Sequence, residues 1–328
     1  MADAQGNLVT YSPALTLVPT YECFNRCTYC NFRQDPGQDT WLGLDAAATQ
    51  LAAVQAQGSH EEPGVVEILL LSGEVHPQSP RRQAWVQHLY DLAALALRLG
   101  FLPHTNAGPL SLEEWKFLKA VNVSMGLMLE QVTPKLLEQV HRHAPSKVPR
   151  LRLQQMHWAG ELGIPFTTGL LLGLGETELD WRDTLMAIAQ SHQQWGHIQE
   201  VIVQPYQPGH QDRLQGQSVT PEQMIGAVSL ARDILPQDIT IQIPPNLMSP
   251  ELLLACLEAG ARDLGGIGPR DHVNPDYPFQ RLWVLQDLLR QVGWQLQPRL
   301  PVYARFVPGL PRHLQEAIGR WQVSLTSA

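Results

Sequence analysis

Short apolar runs alternate with longer stretches carrying apolar residues every three to four positions, and the alternation continues along nearly the whole chain. The runs predict strands at Leu15–Pro19, Val66–Leu71, Phe101–His104, Asn122–Leu129, Pro165–Leu172, Glu200–Gln204, Ile239–Ile243 and Arg262–Gly265. The stretches between them predict helices at Leu44–Gln57, Arg82–Leu99, Leu112–Ala120, Pro134–Val140, Arg150–Leu162, Glu178–Gln193, Pro221–Leu235 and Pro250–Ala259, with another at Phe279–Val292. Thr220 before Pro221 and Ser249 before Pro250 place an N-cap ahead of proline at the first helical position. Gly58, Gly100, Gly163 and Gly260 stand where helices should close. Strand–helix units repeated in this way build an α/β fold, a complete or near-complete parallel (β/α)8 TIM-type barrel. A six-unit partial barrel followed by a separate C-terminal segment is the alternative. The expected division is a core barrel over 9–249, with 250–328 completing the barrel and adding a tail. That tail contains Pro301, Pro308 and Pro311 and an amphipathic stretch Leu314–Trp321, suited either to plug the lower end or to cover the rim.

Barrels of this kind carry their chemistry in the loops after the C-terminal strand ends. The polar residues fall there. The first strand leads into a cysteine cluster, the second into Ser72-Gly73-Glu74-Val75-His76, and the third into His104-Thr105-Asn106. The fourth ends at Glu130, the fifth runs into 173–176, the sixth into Gln204–Tyr206 and the seventh into Pro244–Asn246. These groups converge on one rim.

The 328 residues are 44 % hydrophobic with a formal net charge of −8, which describes a globular protein and not a disordered one. The lysines are confined to Lys116, Lys119, Lys135 and Lys147, so neither a nucleic-acid surface nor a broad phosphate-binding face is expected. The apolar runs are too short to span a bilayer, and residues 1–10 lack the basic head and apolar core of a signal peptide. A cytoplasmic location without membrane attachment is the expectation.

Cys23, Cys27 and Cys30 lie within eight residues at the spacing C-x3-C-x2-C, and Cys256 is distant on an apolar helical face. Three thiolates on one tight loop can each hold an iron of a 4Fe-4S cluster, leaving the fourth iron open to an exogenous ligand. The competing reading is a structural zinc site, which needs four ligands and finds no second Cys or His pair at finger spacing. Cys256 fits a buried core thiol better than a fourth ligand.

The cysteine spacing after the first strand, with Tyr29 before the third cysteine, resembles the signature of the radical S-adenosylmethionine (SAM) superfamily. The resemblance implies a 4Fe-4S cluster on Cys23, Cys27 and Cys30, within an iron–sulfur loop at 21–32. It also implies SAM as co-substrate, cleaved to a 5′-deoxyadenosyl radical. By the same resemblance Ser72, Gly73 and Glu74 bind the methionine amino group, and Gly169 and Glu176 belong to a G-x-I-x-G-x-x-E-like segment beside SAM. Glu130 would hold the ribose hydroxyls, although a solvated strand end is the bland reading of that residue, and Tyr29 would lie against the adenine.

Longer blocks narrow the resemblance. Leu71–Pro77, Pro103–Gly108, Val121–Glu130, Pro165–Gly169 and Asp271–Pro275 are similar to the FO synthase subunit 1 family (the CofG type), from about Tyr11 to Phe306. This implies a carbon–nitrogen lyase that completes 7,8-didemethyl-8-hydroxy-5-deazariboflavin (FO) from an adduct of tyrosine and a ribityl-diaminouracil. FO synthase subunit 2 would be the functional partner, and a ferredoxin or flavodoxin the electron donor. Such a substrate is uncharged, so its pocket should offer neutral polar groups and no arginine clamp; His76, His104, Asn106, Gln204, Asn246 and Asn274 fit. His272, beside Asp271, is the candidate for proton traffic, against the alternative that 271–275 is only a turn. His60, His141, His143 and His192 read as surface histidines and Glu61-Glu62 as a solvated loop. The rival assignments are FO synthase subunit 2 or a futalosine-pathway enzyme, and, from another class, a non-catalytic iron–sulfur or zinc protein.

Overall fold

The structure, a computed structural model, describes residues 7–56, 64–214, 216 and 218–326. Eight strands form a closed parallel barrel: β1 (Leu8–Leu17), β2 (Glu67–Leu71), β3 (Leu102–Asn106), β4 (Ser124–Gly126), β5 (Phe166–Leu172), β6 (Ile198–Pro205), β7 (Thr240–Gln242) and β8 (Asp263–Ile267). Each pairs with the next, and β8 returns to β1, which also pairs with β2. One edge of β1 takes β8; the other takes β2 at Ala14–Leu17 and, below it, a short ninth strand, β9 (Gln295–Pro298), at Leu8–Tyr11. The expected barrel is therefore complete.

The helices are α1 (Leu44–Ala56), α2 (Arg82–Arg98), α3 (Leu112–Lys119), α4 (Pro149–Glu161), α5 (Glu178–Trp195), α6 (Pro221–Ile234), α7 (Pro250–Glu258), α8 (Leu282–Gln291) and α9 (Arg312–Thr326). Thr220 and Ser249 cap α6 and α7 through their hydroxyls, as read from the sequence. The helix expected at Pro134–Val140 is instead a 3-10 turn, Pro134–Glu138, ended by Gln139, whose backbone (φ −119°, ψ −108°) leaves helical geometry. Gly58, His60, Glu61 and Glu62 lie outside the described residues. Among the described residues, no helix is long and apolar enough to cross a membrane.

The apolar faces of α2–α8 pack onto the barrel exterior in a core that includes Trp85, Trp115, Phe166 and Cys256, the last fully buried as expected. The tail plugs the lower end. Leu310, Leu314, Ala317 and Ile318 pack against Val66, Leu102 and Val123, which sit at the entry ends of β2, β3 and β4. His313 Nε2 donates to the Ala120 carbonyl (2.9 Å) and Trp321 Nε1 to that of Gly100 (2.6 Å), anchoring α9 to the lower loops.

Above this plug lies a charged layer that the sequence reading did not anticipate. Arg299 donates through Nε and Nη2 to Asp263 (2.5 and 2.8 Å) and pairs with Glu200. Glu200 also accepts from the Thr167 and Tyr303 hydroxyls (both 3.0 Å). Glu67 completes a set of three buried carboxylates facing one guanidinium. Burial, reinforced by the Asp263 and Glu67 charges against the pull of Arg299, pushes the Glu200 carboxyl up to about 7. His104 hangs above the layer, its Nδ1 2.7 Å from the Ser124 hydroxyl, and burial with the Arg299 charge brings it down to about 3, so the ring is neutral.

Two outcomes test this arrangement. Leu314→Ala should cost about 2–5 kcal/mol in denaturant unfolding, as a large-to-small change in a packed site, while the exposed Arg312→Ala should change little. A carboxyl whose pKa is higher folded than unfolded stabilises at low pH and loses that contribution as pH rises through the folded value. Glu200→Gln should therefore gain stability relative to the parent between the ordinary value of 4.5 and about 7, measured as the pH dependence of the difference in unfolding free energy. A difference that is flat with pH contradicts it.

Candidate active site

The loop after β1 doubles back on itself, with Cys23 N donating to Gln34 O (3.0 Å) and Gln34 N to Tyr21 O (2.8 Å). It places three free thiols, Cys23, Cys27 and Cys30, at the upper rim. The loop after β2 passes directly beneath: Gly73 N donates to Thr20 O (2.8 Å), and Phe24 N to Glu74 O (3.1 Å). A Cβ on Gly73 would fall 2.1 Å from the Glu22 carbonyl oxygen, so only glycine permits this approach.

A buried polar network fixes the two loops together. Glu74 accepts from Arg152 Nη2 (2.9 Å) and from Asn25 Nδ2 (2.9 Å). Asn25 Nδ2 also lies 2.8 Å from the Ser146 hydroxyl and 3.6 Å from Cys23 Sγ, and its Oδ1 accepts from Ser146 N (3.1 Å). Arg152, on α4, further donates to the carbonyls of Ser146 (3.1 Å) and Met128 (2.5 Å) and is fully buried. Arg152 and Asn25 were missed in the sequence; the available signal was a cation on the same inward helical stripe as Gln155, Met156 and Ala159.

Glu130 corrects the solvated-strand-end reading. It is 6 % exposed, adopts a left-handed backbone (φ 65°) and pairs with Lys147. Its pKa lies below the ordinary carboxylate value: burial, the largest single influence, acts upward but is outweighed by the Lys147 and Arg152 charges and the Lys147 hydrogen bond. Tyr29 joins this group through a 3.0 Å hydrogen bond to His141 Nε2. His141 is thus no surface histidine; burial and the Lys147 charge bring it down to about 3. His192 is also buried, its Nδ1 accepting from Ile198 N (3.1 Å), whereas His143 is exposed as expected.

Tyr29, Cys30, Ser72, Glu74, Glu130, Lys147 and Arg152 line one cavity of about 320 Å³. Ser72 is held there by Trp85 Nε1, which donates to its hydroxyl (3.0 Å). Gly169 and Glu176 act from behind this wall. The space beside Gly169 is taken by Ile202 and Met128, and the Glu176 carboxylate accepts from Gly173 N, Leu174 N and Trp181 Nε1 (2.7, 2.7 and 2.8 Å), shaping the turn after β5.

A second cavity, about 190 Å³, occupies the barrel lumen down to Glu67, His104, Glu200 and Arg299. Asn106, Gln204 and Asn274 line both cavities, so the two adjoin. Asn246 and His272 line the lumen only. His76 does not: it is exposed and rests edge-on against Phe24, ring centroids 5.0 Å apart. The lumen is also not free of arginine, since Arg270 and Arg299 line it, but Asp263 and Glu200 absorb the Arg299 charge.

Asp271 and His272 do separate jobs. Asp271 accepts from Val273 N (2.8 Å), Asn274 N (2.9 Å), Asn246 Nδ2 (2.9 Å) and Asn274 Nδ2 (3.2 Å), which is the turn-forming alternative. His272 Nδ1 instead meets the Tyr21 hydroxyl at 2.9 Å, tying the rim after β8 to the cysteine loop. Burial and Arg270 lower the His272 pKa despite Asp271, favouring a neutral ring.

The donor set fits an iron–sulfur cluster. Burial and the Glu74 charge push the Cys23 thiol up to about 11, and burial with Cys30 and two carboxylates pushes Cys27 up to about 12 against Lys147. Thiolates in such a place need a cationic partner, and iron supplies one.

Comparison with known proteins agrees with this geometry. A family model described as the radical SAM superfamily matches residues 17–188. The "7,8-didemethyl-8-hydroxy-5-deazariboflavin synthase" of Thermosynechococcus vestitus is 64 % identical over 311 residues, covering 94 % of this chain and 97 % of the relative. The protein of the same name from Trichormus variabilis is 61 % identical over 318 residues, covering 97 % and 92 %. Among solved structures, the [FeFe]-hydrogenase maturase HydG of Carboxydothermus hydrogenoformans superposes with a TM-score of 0.71 at 18 % identity, over 98 % of this chain and 79 % of that one, a likeness of fold. The chain belongs to the radical SAM superfamily and, within it, to the 7,8-didemethyl-8-hydroxy-5-deazariboflavin synthase family.

Proposed function

We propose that the chain forms FO from 5-amino-5-(4-hydroxybenzyl)-6-(D-ribitylimino)-5,6-dihydrouracil, releasing ammonia, methionine and 5′-deoxyadenosine. The observation that carries this reading is identity above 60 % across more than nine-tenths of the chain to synthases of that name, on a fold whose cysteine rim adjoins a polar lumen. Overall, the adduct loses ammonia, two electrons and two protons, and one SAM is reductively cleaved in balance. When bound, the 4Fe-4S cluster supplies the electron that starts SAM cleavage.

Cys23, Cys27 and Cys30 would hold the cluster, with Asn25 donating toward Cys23. Glu74, pinned by Arg152 and Asn25, presents a fixed carboxylate edge to the amino group of SAM, beside Ser72 and the Gly73 backbone. Glu130 faces the ribose hydroxyls and Tyr29 the adenine, with Gly169 and Glu176 shaping the wall behind. Asn106, Gln204, Asn246 and Asn274 offer neutral hydrogen bonds to the uracil and phenol, and His104 with the charged floor meets the ribityl hydroxyls. His272, neutral and oriented by Tyr21, moves the proton during ring closure, with Asp271 setting the turn that carries it. FO synthase subunit 2 would supply the adduct and a ferredoxin or flavodoxin the electron, in the cytoplasm. Residues 9–249 would form the catalytic core, with 250–328 closing the barrel.

Anaerobically reconstituted enzyme should convert preformed adduct to FO, detected by fluorescence, and should not use tyrosine plus the diaminouracil; the reverse pattern assigns it as subunit 2. His272→Gln should lower kcat on the adduct about 100-fold, within the usual range for general acid–base groups, while SAM cleavage continues; unchanged turnover removes that role. Gly73→Ala should abolish iron retention, read as iron per chain, whereas Gly226→Ala, with open space beside it, should retain iron fully.

A further inference from the structure

The chain carries a net charge of −8, yet the outer face of its cysteine loop is basic. A depression of about 760 Å³ is lined by Cys27 and Cys30 together with Arg26, Arg33, Arg142 and Arg213. Three segments are joined by main-chain hydrogen bonds to build it: Arg26 N to His143 O (2.7 Å), Thr28 N to Val140 O (3.1 Å) and Arg213 N to Thr28 O (2.7 Å). Asp35 pairs with both Arg26 and Arg33. Arg142 and Arg213 are exposed, and among the described residues neither has a carboxylate within ion-pair distance. Cys30 lines this depression and also the inner cavity, so the thiol loop is the wall between solvent and the site.

We propose that this face is the docking surface of an acidic one-electron carrier protein, seated by Arg142 and Arg213. The inference rests on the radical reading above, which requires one electron to reach the thiol loop from outside. That electron leaves the reduced carrier and enters the cluster, with no bond made or broken and no proton transferred. Guanidinium groups match carboxylates in a fork geometry, so the partner must present Asp and Glu side chains. Redox encounters use small interfaces, and unpaired charge at their rim sets the on-rate. A bilayer or a nucleic-acid duplex would extend past this patch onto the acidic remainder of the chain and be repelled; a small acidic protein would not.

The test uses anaerobically reconstituted holoenzyme and an acidic [2Fe–2S] ferredoxin as probe. Arg142→Glu/Arg213→Glu should weaken binding of oxidised ferredoxin at least tenfold by calorimetry. Cluster reduction by reduced ferredoxin in rapid mixing should slow by a similar factor, and its salt dependence should flatten. Dithionite reduction and the ensuing 5′-deoxyadenosine yield should be unchanged, and Arg312→Glu, at the opposite end of the barrel, should match the parent throughout. Ferredoxin binding that is absent in the parent at low salt, or undiminished in the double variant, overturns the docking surface. A parent that yields no 5′-deoxyadenosine even with dithionite overturns the radical reading and this inference with it.

Discussion

The buried pairing of Arg152 with Glu74 is the constraint on which the site depends. It joins α4 to the loop after β2, and through Asn25 and Ser146 it reaches the cysteine loop and the turn before α4. A buried ion pair contributes little net stability against an apolar replacement, but breaking one leaves an uncompensated charge and costs several kcal/mol. Its value here is positional. The cysteine loop has no regular secondary structure of its own, and this network ties it to the barrel beneath.

Charge is partitioned vertically through the molecule. At the floor, three carboxylates meet Arg299, so acid dominates and protons are retained near neutral pH. At the rim, Arg152 and Lys147 face Glu74 and Glu130 in a balanced set beside the thiols. On the outer face of the same loop arginine prevails. Between floor and rim the lumen carries amides and neutral imidazoles beside apolar side chains and Arg270, which suits an uncharged polyol-bearing substrate.

The barrel was legible because helices and strands are amphipathic with different periods, and the thiols because their spacing has few other uses. What stayed hidden was buried polarity. β1 begins at Leu8 and not Leu15, since Thr10 and Ser12 interrupt its apolar run while Thr10 bonds inward to Asp263. β9 reads as loop because its glutamines face solvent and it pairs along one edge. His141 and His192 look like surface residues until Tyr29 and Ile198 are folded against them, and Arg152 looks like a solvated helix cation. The partners of Thr10, His141 and Arg152 are distant in sequence, and single-chain patterns do not encode them.

The chemistry depends on a cluster held by three side chains, with its remaining iron left to SAM. Electron–nuclear double resonance on the reduced, reconstituted enzyme with SAM labelled by 15N at the amino group tests that directly. A hyperfine coupling between the label and the cluster is expected. A four-iron spectrum without coupling, indifferent to added SAM, would mean that a protein ligand fills the fourth position, and would contradict it.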